Sequence, residues 1–308
     1  MKIAAAAYPL SWLDDWEAYE EKISDWVAGA ADEGADLLIF PEYAAMELAT
    51  LAGPEIAAHP EHSIVAVSEF LPEADALHMR LAAQHGVHIC AGSAPFRQPS
   101  GRPVNRARLI APSGLIGWQD KLIMTRFERE EWDIAPGDAA IVFETDLGRI
   151  GILTCYDAEF PLNARAMVEA GAEVLLVPSC TEALSGYWRV RIGAMARALE
   201  SQCVVAHAPL VGSNEWSEAV DTNTGAAAIY GPPDLGFPDT GVIAEGPMNT
   251  PCWVIEEVDL AAVRKVRKEG RVLNMVHWRE QDDRLEAVQI IGLETDDQDG
   301  DARASSLG

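Results

Sequence analysis

The sequence predicts a single-domain, mixed α/β protein in which two β-sheets pack face to face with helices on the outside. Short, continuously apolar segments alternate with amphipathic helical ones, and such apolar runs suit strands covered on both faces. Residues 33–41 recur as residues 170–178, and each copy contains a helix end, a glycine, a buried strand and a proline. The repeat predicts two related β-α-β-α halves. A hairpin signal at residues 109–118 makes the sheets mixed rather than purely parallel.

Glycine and proline delimit the elements of the first half. Gly34 and Gly86 end two helices, whereas Pro9 and Pro41 close two strands because proline has no N–H to donate to a sheet. The predicted elements, in order, are a strand at 3–8, a helix at 19–30, a strand at 37–40, a helix at 68–85, a strand at 87–91 and a hairpin joining 109–111 to 115–118.

The second half repeats this order and ends with a capped helix. Asp259 precedes a helical segment and predicts its N-cap. The predicted elements are a strand at 150–154, a helix beginning at Pro161 and continuing to 170, strands at 174–177, 204–208 and 253–258, a helix at 188–199 and a last helix ending at 268. Segments 43–63 and 209–250 contain several Gly and Pro residues, so we expect them to be loops around a site.

Charge and cysteine content restrict the partners and the compartment. With 23 Lys and Arg against 49 Asp and Glu, the net charge of −26 disfavours nucleic acid and anionic membranes as partners. No apolar run reaches the roughly 18 residues of a membrane span. Five cysteines without Cys-x-x-Cys spacing indicate reduced thiols and a cytoplasmic protein. The pairs His59/His62 and His85/His88 lack a third ligand at zinc spacing, so we expect no metal.

Three residues with chemical potential each follow a predicted strand. Cys155 would be exposed on a sharp turn between a strand and a helix, Glu42 could act as a base if burial raises its pKa, and Lys121 could stabilise a thiolate or an oxyanion. Taken singly, each has an ordinary structural interpretation: a buried thiol, a solvated carboxylate and a surface lysine. Their combination, one residue per strand end, is what indicates catalysis.

This combination resembles the nitrilase superfamily of carbon–nitrogen hydrolases, which uses a Glu-Lys-Cys triad. The matching stretches are Leu-Leu-Ile-Phe-Pro-Glu42, Gln-Asp-Lys121-Leu-Ile-Met-Thr-Arg-Phe-Glu128-Arg, Gly-Ile-Leu-Thr-Cys155-Tyr-Asp-Ala-Glu-Phe-Pro, and the segment from Val177 through Thr181 to Glu200. The resemblance implies a four-layer α-β-β-α sandwich. It covers most of residues 3–270, so we place a hydrolase domain at 1–280 and an acidic extension, partly disordered or contacting a dimer partner, at 281–308.

The resemblance also implies residue roles. Cys155 would be the nucleophile and Glu42 the general base. Lys121 and the backbone N–H of Tyr156 would stabilise the tetrahedral oxyanion, and Glu128 would orient Lys121 or the substrate nitrogen. The implied reaction passes through a thioester and needs neither metal nor other cofactor.

Three sequence features bear on the type of carbon–nitrogen bond that is cleaved. The Tyr-Asp pair after Cys155 resembles the amidase branch, residues 125–132 lean toward nitrilases, and the absence of a basic residue between Cys155 and Arg165 disfavours carbamoylases. We therefore predict hydrolysis of a small linear amide, with a nitrilase or an N-carbamoyl amidohydrolase as alternatives. A non-catalytic scaffold and a redox-sensing thiol paired with Cys180 are further hypotheses.

Two expectations concern the surroundings of the triad. Aromatic and polar side chains line most small-molecule sites, and six residues are therefore predicted to contact the substrate: Tyr43, Tyr156, Trp132, Thr181, Tyr187 and Trp188. For Trp188, packing in the core is an equally good interpretation. By analogy with the family, residues 161–170 and 187–201 would form the interface of a homodimer or a higher homo-oligomer.

Overall fold

The computed structural model describes residues 1–99 and 101–292. The chain divides into two compact units, Met1–Met275 and Val276–Gly308. In the second unit, a 3-10 helix spans Trp278–Gln281 and is followed by exposed chain. The extension predicted at 281–308, partly disordered or contacting a dimer partner, is described only over residues 281–292, and residues 293–308 lie outside the described residues.

The secondary structure follows the predicted order of strands and helices. The strands are β1 (Lys2–Pro9), β2 (Leu37–Ile39), β3 (His88–Arg97), β4 (Pro103–Ile110), β5 (Ile116–Asp120), β6 (Val142–Thr145), β7 (Gly148–Ile152), β8 (Val174–Ser179), β9 (Val204–Ser213), β10 (Thr222–Asn223), β11 (Ala228–Tyr230), β12 (Val242–Glu245) and β13 (Cys252–Glu257). The helices are α1 (Trp16–Asp32), α2 (Pro54–Ala58), α3 (Pro60–His85), α4 (Arg126–Glu130), α5 (Pro161–Glu169), α6 (Leu184–Ser201), α7 (Leu260–Glu269) and α8 (Asn274–His277), with further 3-10 helices at Ala44–Ala52 and Cys155–Glu159.

The strands form two halves with equivalent centres. One half has the order β5-β4-β3-β2-β1-β13 and the other β6-β7-β8-β9-β11-β12. In each half the central three strands, β1-β2-β3 or β7-β8-β9, run parallel, and the flanking strands are antiparallel. The repeated segments supply β2 and β8, which occupy the middle of each parallel trio. The predicted mixed α/β fold is therefore confirmed.

Strand β1 also joins the two halves. It pairs with β13 over residues 2–7 and then, through Tyr8 and Pro9, with Leu210 and Val211 of β9. The two predicted sheets are thus hydrogen-bonded to each other at one corner, a link that hydropathy patterns do not reveal.

The core lies in layers that follow the alternation of strand side chains. Ile3, Ala5 and Ala7 of β1 belong to a cluster that includes Ile152 and Leu176 of the other half. The intervening residues of β1 face a second cluster with apolar side chains of α1 and α3. Each central strand is thereby buried on both faces, which explains its continuous apolar sequence.

The prediction that residues 43–63 form a loop was wrong. This segment contains the buried 3-10 helix Ala44–Ala52, then α2 and the start of α3. Pro54 and Pro60, which suggested a loop, occupy the first turns of α2 and α3, where a missing N–H has no consequence.

Candidate active site

The candidate site lies where strands of both halves end. Pairing shows that β2, β5, β7 and β8 all run in the same direction. Glu42, Lys121, Cys155 and Cys180 follow these four strands closely in sequence. The shared direction brings their side chains to one edge of the molecule, as the strand-end argument predicts.

Lys121 joins two glutamates at the centre of the site. Its Nζ donates to Glu42 Oε1 at 2.8 Å and to Glu128 Oε2 at 2.7 Å, and no side chain of the three is more than 2% exposed. Asn105 Nδ2 donates to the same pair, to Glu42 Oε1 at 2.9 Å and to Glu128 Oε1 at 3.1 Å. The cation and the amide thus hold both carboxylates in fixed positions.

Glu128 is the more constrained carboxylate. Its Oε1 accepts from the Tyr43 hydroxyl at 2.6 Å, and its Oε2 accepts from the backbone N–H and hydroxyl of Thr125, each at 2.9 Å. Thr125 and Glu128 form the capping box of α4, which fixes the side chain to the start of a helix. This arrangement suits a positioning role rather than proton transfer.

Cys155 stands on a strained turn beside Glu42. Its φ of 50° is left-handed, which is uncommon for a residue with a side chain and typical of strain held at functional sites. Its Sγ lies 3.8 Å from the carbonyl oxygen of Cys180, and the backbone N–H of Cys180 donates to Glu42 Oε2 at 3.0 Å. The segment after β8 therefore contacts both the thiol and the carboxylate.

Burial separates the proton affinities of the two glutamates. Burial, and secondarily the charge of Glu128, raises the pKa of Glu42 despite the attraction of Lys121. For Glu128, burial acts upward, but Lys121 and the hydrogen bonds from Tyr43 and Thr125 outweigh it and lower the pKa. The result is one ionised partner for Lys121 and one carboxylate with raised proton affinity, a pattern that suits a general base.

Lys121 and Cys155 are shifted in a complementary way. Burial acts to lower the pKa of Lys121, but the neighbouring Glu128 and Glu42 charges raise it well above its usual range. Burial and the charge of Glu42 raise the pKa of the Cys155 thiol. These shifts favour the charged form of Lys121 and the protonated form of the Cys155 thiol.

These groups border a cavity of about 230 Å³. Tyr43 and Trp132, two of the predicted substrate-contacting residues, line it and pack edge to face with ring centroids 5.0 Å apart. The full lining is Glu42, Tyr43, Lys121, Thr125, Phe127, Glu128, Trp132, Cys155, Cys180, Glu182, Glu218, Ala219, Asp221 and Thr222.

The other four predicted substrate-contacting side chains lie outside this lining. Tyr187 is fully buried and stacks on His207, whereas Trp188 is 45% exposed on the surface of α6. Tyr156 packs edge to face on Phe160. Thr181 donates its hydroxyl proton to the Thr224 carbonyl oxygen at 2.8 Å. Side chains at neighbouring positions of a helix or a turn point in different directions, and the sequence pattern did not determine which of them face the cavity.

Two contributors to the site were missed. Asn105 is buried in β4 and lies two residues before the buried Ala107, on the same face of the strand. A polar residue at a position where the alternation of the strand predicts a buried side chain could have indicated a functional role. Asp157 accepts from the backbone N–H of Leu122 and of Ile123, at 3.0 and 2.8 Å, and so connects the turn of Cys155 to the segment after Lys121. No local sequence pattern predicts that contact.

The two cysteines of the redox hypothesis, Cys155 and Cys180, do not form a disulfide in the structure. Cys155 and Cys180 are both free thiols, and Cys180 Sγ is 3.3 Å from Asn223 Oδ1.

Within residues 1–99 and 101–292, no group of three or more His, Cys, Asp or Glu side chains could hold a metal ion. Over the same residues, no helix has the length and apolar character needed to cross a bilayer.

The family assignment follows from comparison with known proteins. A sequence model described as "Carbon-nitrogen hydrolase" matches residues 2–268. The chain belongs to the carbon–nitrogen hydrolase family. It is similar to the probable hydrolase YhcX of Bacillus subtilis, at 32% identity over 272 residues, which cover 88% of this chain and 52% of YhcX. The chain therefore spans about half the length of that relative.

Two further comparisons agree with this family. Omega-amidase YafV of Escherichia coli is 26% identical to this carbon–nitrogen hydrolase over 270 residues, or 87% of the chain and 93% of YafV. An amidase from Nesterenkonia sp., solved as a mutant with acrylamide added to its active-site cysteine, is 23% identical and gives a TM-score of 0.66 over 87% of this chain and 97% of that one. The second likeness shows a shared fold.

Proposed function

We propose that this carbon–nitrogen hydrolase converts a small linear amide and water into a carboxylate and ammonia through a thioester on Cys155. The observation that carries the proposal is the buried Lys121 bridging Glu42 and Glu128 beside the thiol at a cavity. Strained geometry at Cys155 and the shifted pKa values of its neighbours support the same conclusion.

Acylation begins with proton transfer from Cys155 to Glu42. Sγ attacks the amide carbonyl carbon, and the carbonyl oxygen gains negative charge, which Lys121 Nζ and the Tyr156 backbone N–H stabilise. Glu42 then gives its proton to the leaving nitrogen, the C–N bond breaks, and ammonia departs. Because Glu42 has raised proton affinity, it can both accept and return that proton near neutral pH.

Deacylation uses the same groups with water in place of the thiol. Glu42 takes a proton from water, whose oxygen attacks the thioester carbon to form a second oxyanion. The C–S bond breaks, the sulfur recovers the proton from Glu42, and the carboxylic acid leaves and gives up its own proton to solvent, which yields the carboxylate. Throughout both steps, Glu128 and Asn105 hold Lys121 and Glu42 in place.

An amide substrate is favoured over a nitrile. The Tyr156-Asp157 pair after the nucleophile resembles the amidase branch, and YafV carries an amidase name. We expect ammonia release from short aliphatic amides to exceed release from the matching nitriles and N-carbamoyl compounds. Faster turnover of nitriles would move the assignment to a nitrilase.

The reaction should have an acidic limit set by Glu42. The base works only when ionised, so activity is present above the pKa of Glu42 and is lost as the pH falls through it. Because burial raises that pKa, we expect the midpoint of the acid limb of kcat/KM to lie above the ordinary value of a glutamate. Initial rates between about pH 4 and 8 test this, with circular dichroism confirming folding. A profile that stays flat down to pH 4 would oppose Glu42 as the base.

The protein is also proposed to form a homodimer through α6. Leu184, Trp188, Ile192 and Leu199 are each at least 45% exposed and recur on one helix face. We expect Ile192→Asp to shift the molecular mass in solution toward the monomer by placing a charge in the contact. Light scattering after gel filtration measures this, with Leu115→Asp, at an exposed turn, as the matched control. Equal oligomeric states for the two variants would contradict the interface.

A further inference from the structure

We propose that Asp157 is a positioning residue of the reaction, and that its carboxylate holds the segment after Lys121 against the turn that carries Cys155. Asp157 follows the nucleophile by two residues, and its hydrogen-bond donors, Leu122 and Ile123, directly follow the lysine. The inference rests on the proposed amidase function and adds to it a residue that does not line the cavity.

Both oxygens of the Asp157 carboxylate take part in this contact. Oδ2 accepts from the backbone N–H of Leu122 at 3.0 Å, and Oδ1 accepts from the backbone N–H of Ile123 at 2.8 Å. An ionised carboxylate only accepts hydrogen bonds, so two backbone donors match its charged form. Asp157 is fully buried, and the low local dielectric strengthens the contact.

The segment held by Asp157 carries two groups of the site. Lys121 begins it, and its backbone N–H donates to the carbonyl oxygen of Asn105 at 2.8 Å. Thr125 and Glu128 end it with the capping box of α4. Asp157 binds the residues between these two anchors, so it restricts the movement of Lys121 relative to the thiol.

The backbone of Asp157 belongs to the turn of the nucleophile. Its N–H donates to the Thr154 carbonyl oxygen at 3.0 Å, and its carbonyl oxygen accepts from Asn163 Nδ2 at 3.3 Å. These contacts hold the turn in which Cys155 has its left-handed φ of 50°. A displacement of about 1 Å between reacting groups can lower a rate by about 100-fold. The link between the sulfur and Lys121 therefore bears directly on turnover.

Protonation of Asp157 opposes this contact. It turns one accepting oxygen into an O–H donor, which faces a backbone donor instead of accepting from it. Burial raises the pKa of Asp157 to about 7, although the two backbone hydrogen bonds and the charge of Lys121 act to lower it. The charge of Glu42 acts in the same direction as burial. The contact is therefore present above about pH 7 and is lost as the pH falls through that value.

The charged groups of the elements packed against the turn have partners of their own. Strand β8 has no charged residue, and α5 and α6 pack against the turn from outside the sheet. The charged side chains of the two helices form ion pairs as follows: Arg165 with Glu169, Arg189 with Glu159, Arg191 with Glu245 and Arg197 with Glu200. The charges that act on the ionisation of Asp157 are those of Lys121 and Glu42.

Two reactions of Cys155 that differ in their need for an oxyanion partner test this role. With p-nitrophenyl acetate, Sγ attacks the carbonyl carbon, an oxyanion forms, and p-nitrophenolate leaves with the bonding electrons. With iodoacetamide, Sγ displaces iodide and no oxyanion forms. Both reactions require removal of the thiol proton, so the ratio of the acylation rate to the alkylation rate reports on Lys121. Mass spectrometry with peptide mapping follows both products.

The first measurement uses the wild-type protein alone. We expect the ratio to fall by about tenfold between about pH 8 and about pH 5.5, which is part of the 100- to 1,000-fold effect of losing an oxyanion donor. The fall should centre near the pH at which Asp157 takes up its proton. A ratio that does not change with pH would overturn the positioning role, whether or not any variant of Asp157 folds.

The second measurement uses Asp157→Asn, which removes the charge and keeps the shape. The amide has one accepting oxygen, so one backbone contact is lost at every pH. At pH 8 we expect acylation to slow by about 10- to 100-fold and alkylation by less than about threefold. The ratio should then stay low across the pH range. Equal slowing of the two reactions would show that the carboxylate only stabilises the turn.

The matched control is Asp234→Asn. Asp234 is also buried, and its carboxylate also accepts from two backbone N–H groups of a distant segment, those of Arg271 and Val272. It does not line the cavity, so the wild-type ratio and its pH dependence should be retained. Circular dichroism confirms folding of both variants.

Failure of this role and failure of the amidase function give different results. No ammonia release from any amide, together with the expected ratios, would overturn the amidase function and leave the role of Asp157 standing. Amide hydrolysis at equal rates in Asp157→Asn and the wild type at pH 8 would overturn the role and leave the amidase function standing.

Discussion

Cys155→Ala is expected to abolish amide hydrolysis and to leave the protein folded. Removal of the sulfur eliminates the covalent route, so kcat should fall by about four orders of magnitude or more, as is usual when a nucleophile is lost. The free energy of unfolding should change by no more than about 1 kcal/mol, since one small side chain at a cavity is removed. Ammonia release and urea unfolding monitored by circular dichroism measure the two effects.

The matched control for this variant is Cys252→Ala. Cys252 is a free, half-buried thiol of β13 and does not line the cavity, so its loss should leave ammonia release near the wild-type rate. Retention of more than a few per cent of activity in Cys155→Ala would show that another group performs the attack. A scaffold without catalytic function would show no difference between the two variants.

Lys121→Met is expected to impair both activity and stability. The substitution keeps a chain of similar length but leaves Glu42 and Glu128 buried without their shared cation. Breaking a buried ion pair in this way destabilises a protein by about 3–5 kcal/mol. Loss of the oxyanion partner should lower kcat by a further factor of about 100 to 1,000 in the folded fraction. Urea unfolding and initial rates at low temperature separate the two consequences.

A second substitution distinguishes charge balance from catalysis. In Lys121→Met/Glu128→Gln, one of the two unpaired carboxylates becomes neutral, so part of the lost stability should return. Activity should stay low, because neither the oxyanion partner nor the ionised Glu128 is restored. Unchanged stability in Lys121→Met would contradict the buried bridge, and recovery of activity in the double variant would contradict the role of Lys121.

The fold was predictable because its signals are local. Glycine after α1, the apolar run of β2 and the proline that follows recur at α5 and β8, and the structure places both runs at the centre of their halves. The positions of Glu42 and Cys155 followed from the same reasoning, since residues after parallel strands meet at one edge. What local patterns could not supply was the pairing of Tyr8 with Leu210, which depends on how two distant segments meet.

The finer structure of the site depended on contacts of long sequence range. The hydrogen bond from the backbone N–H of Cys180 to Glu42 spans 138 positions, and a backbone donor has no residue-type signature. Asn105 stands at a position of β4 where the strand alternation predicts a buried side chain, so its polarity was a weak indication of function. Its hydrogen bonds to Glu42 and Glu128 depend on the three-dimensional fold and could not be predicted from the local sequence. For Trp188, a clear local signal was misleading: its aromatic side chain suggested a position in the substrate pocket, but its position on α6 exposes it to solvent.

Covalent labelling during turnover is the most direct test of the mechanism. The enzyme is mixed with an activated ester of a short carboxylic acid, so that acylation outpaces deacylation, and is quenched in acid within milliseconds to seconds. We expect one acyl group per chain, found by peptide mapping on Cys155, and its disappearance on longer incubation as the carboxylate forms. Acylation of a different residue, or carboxylate formation with no acyl group on Cys155, would contradict the thioester route.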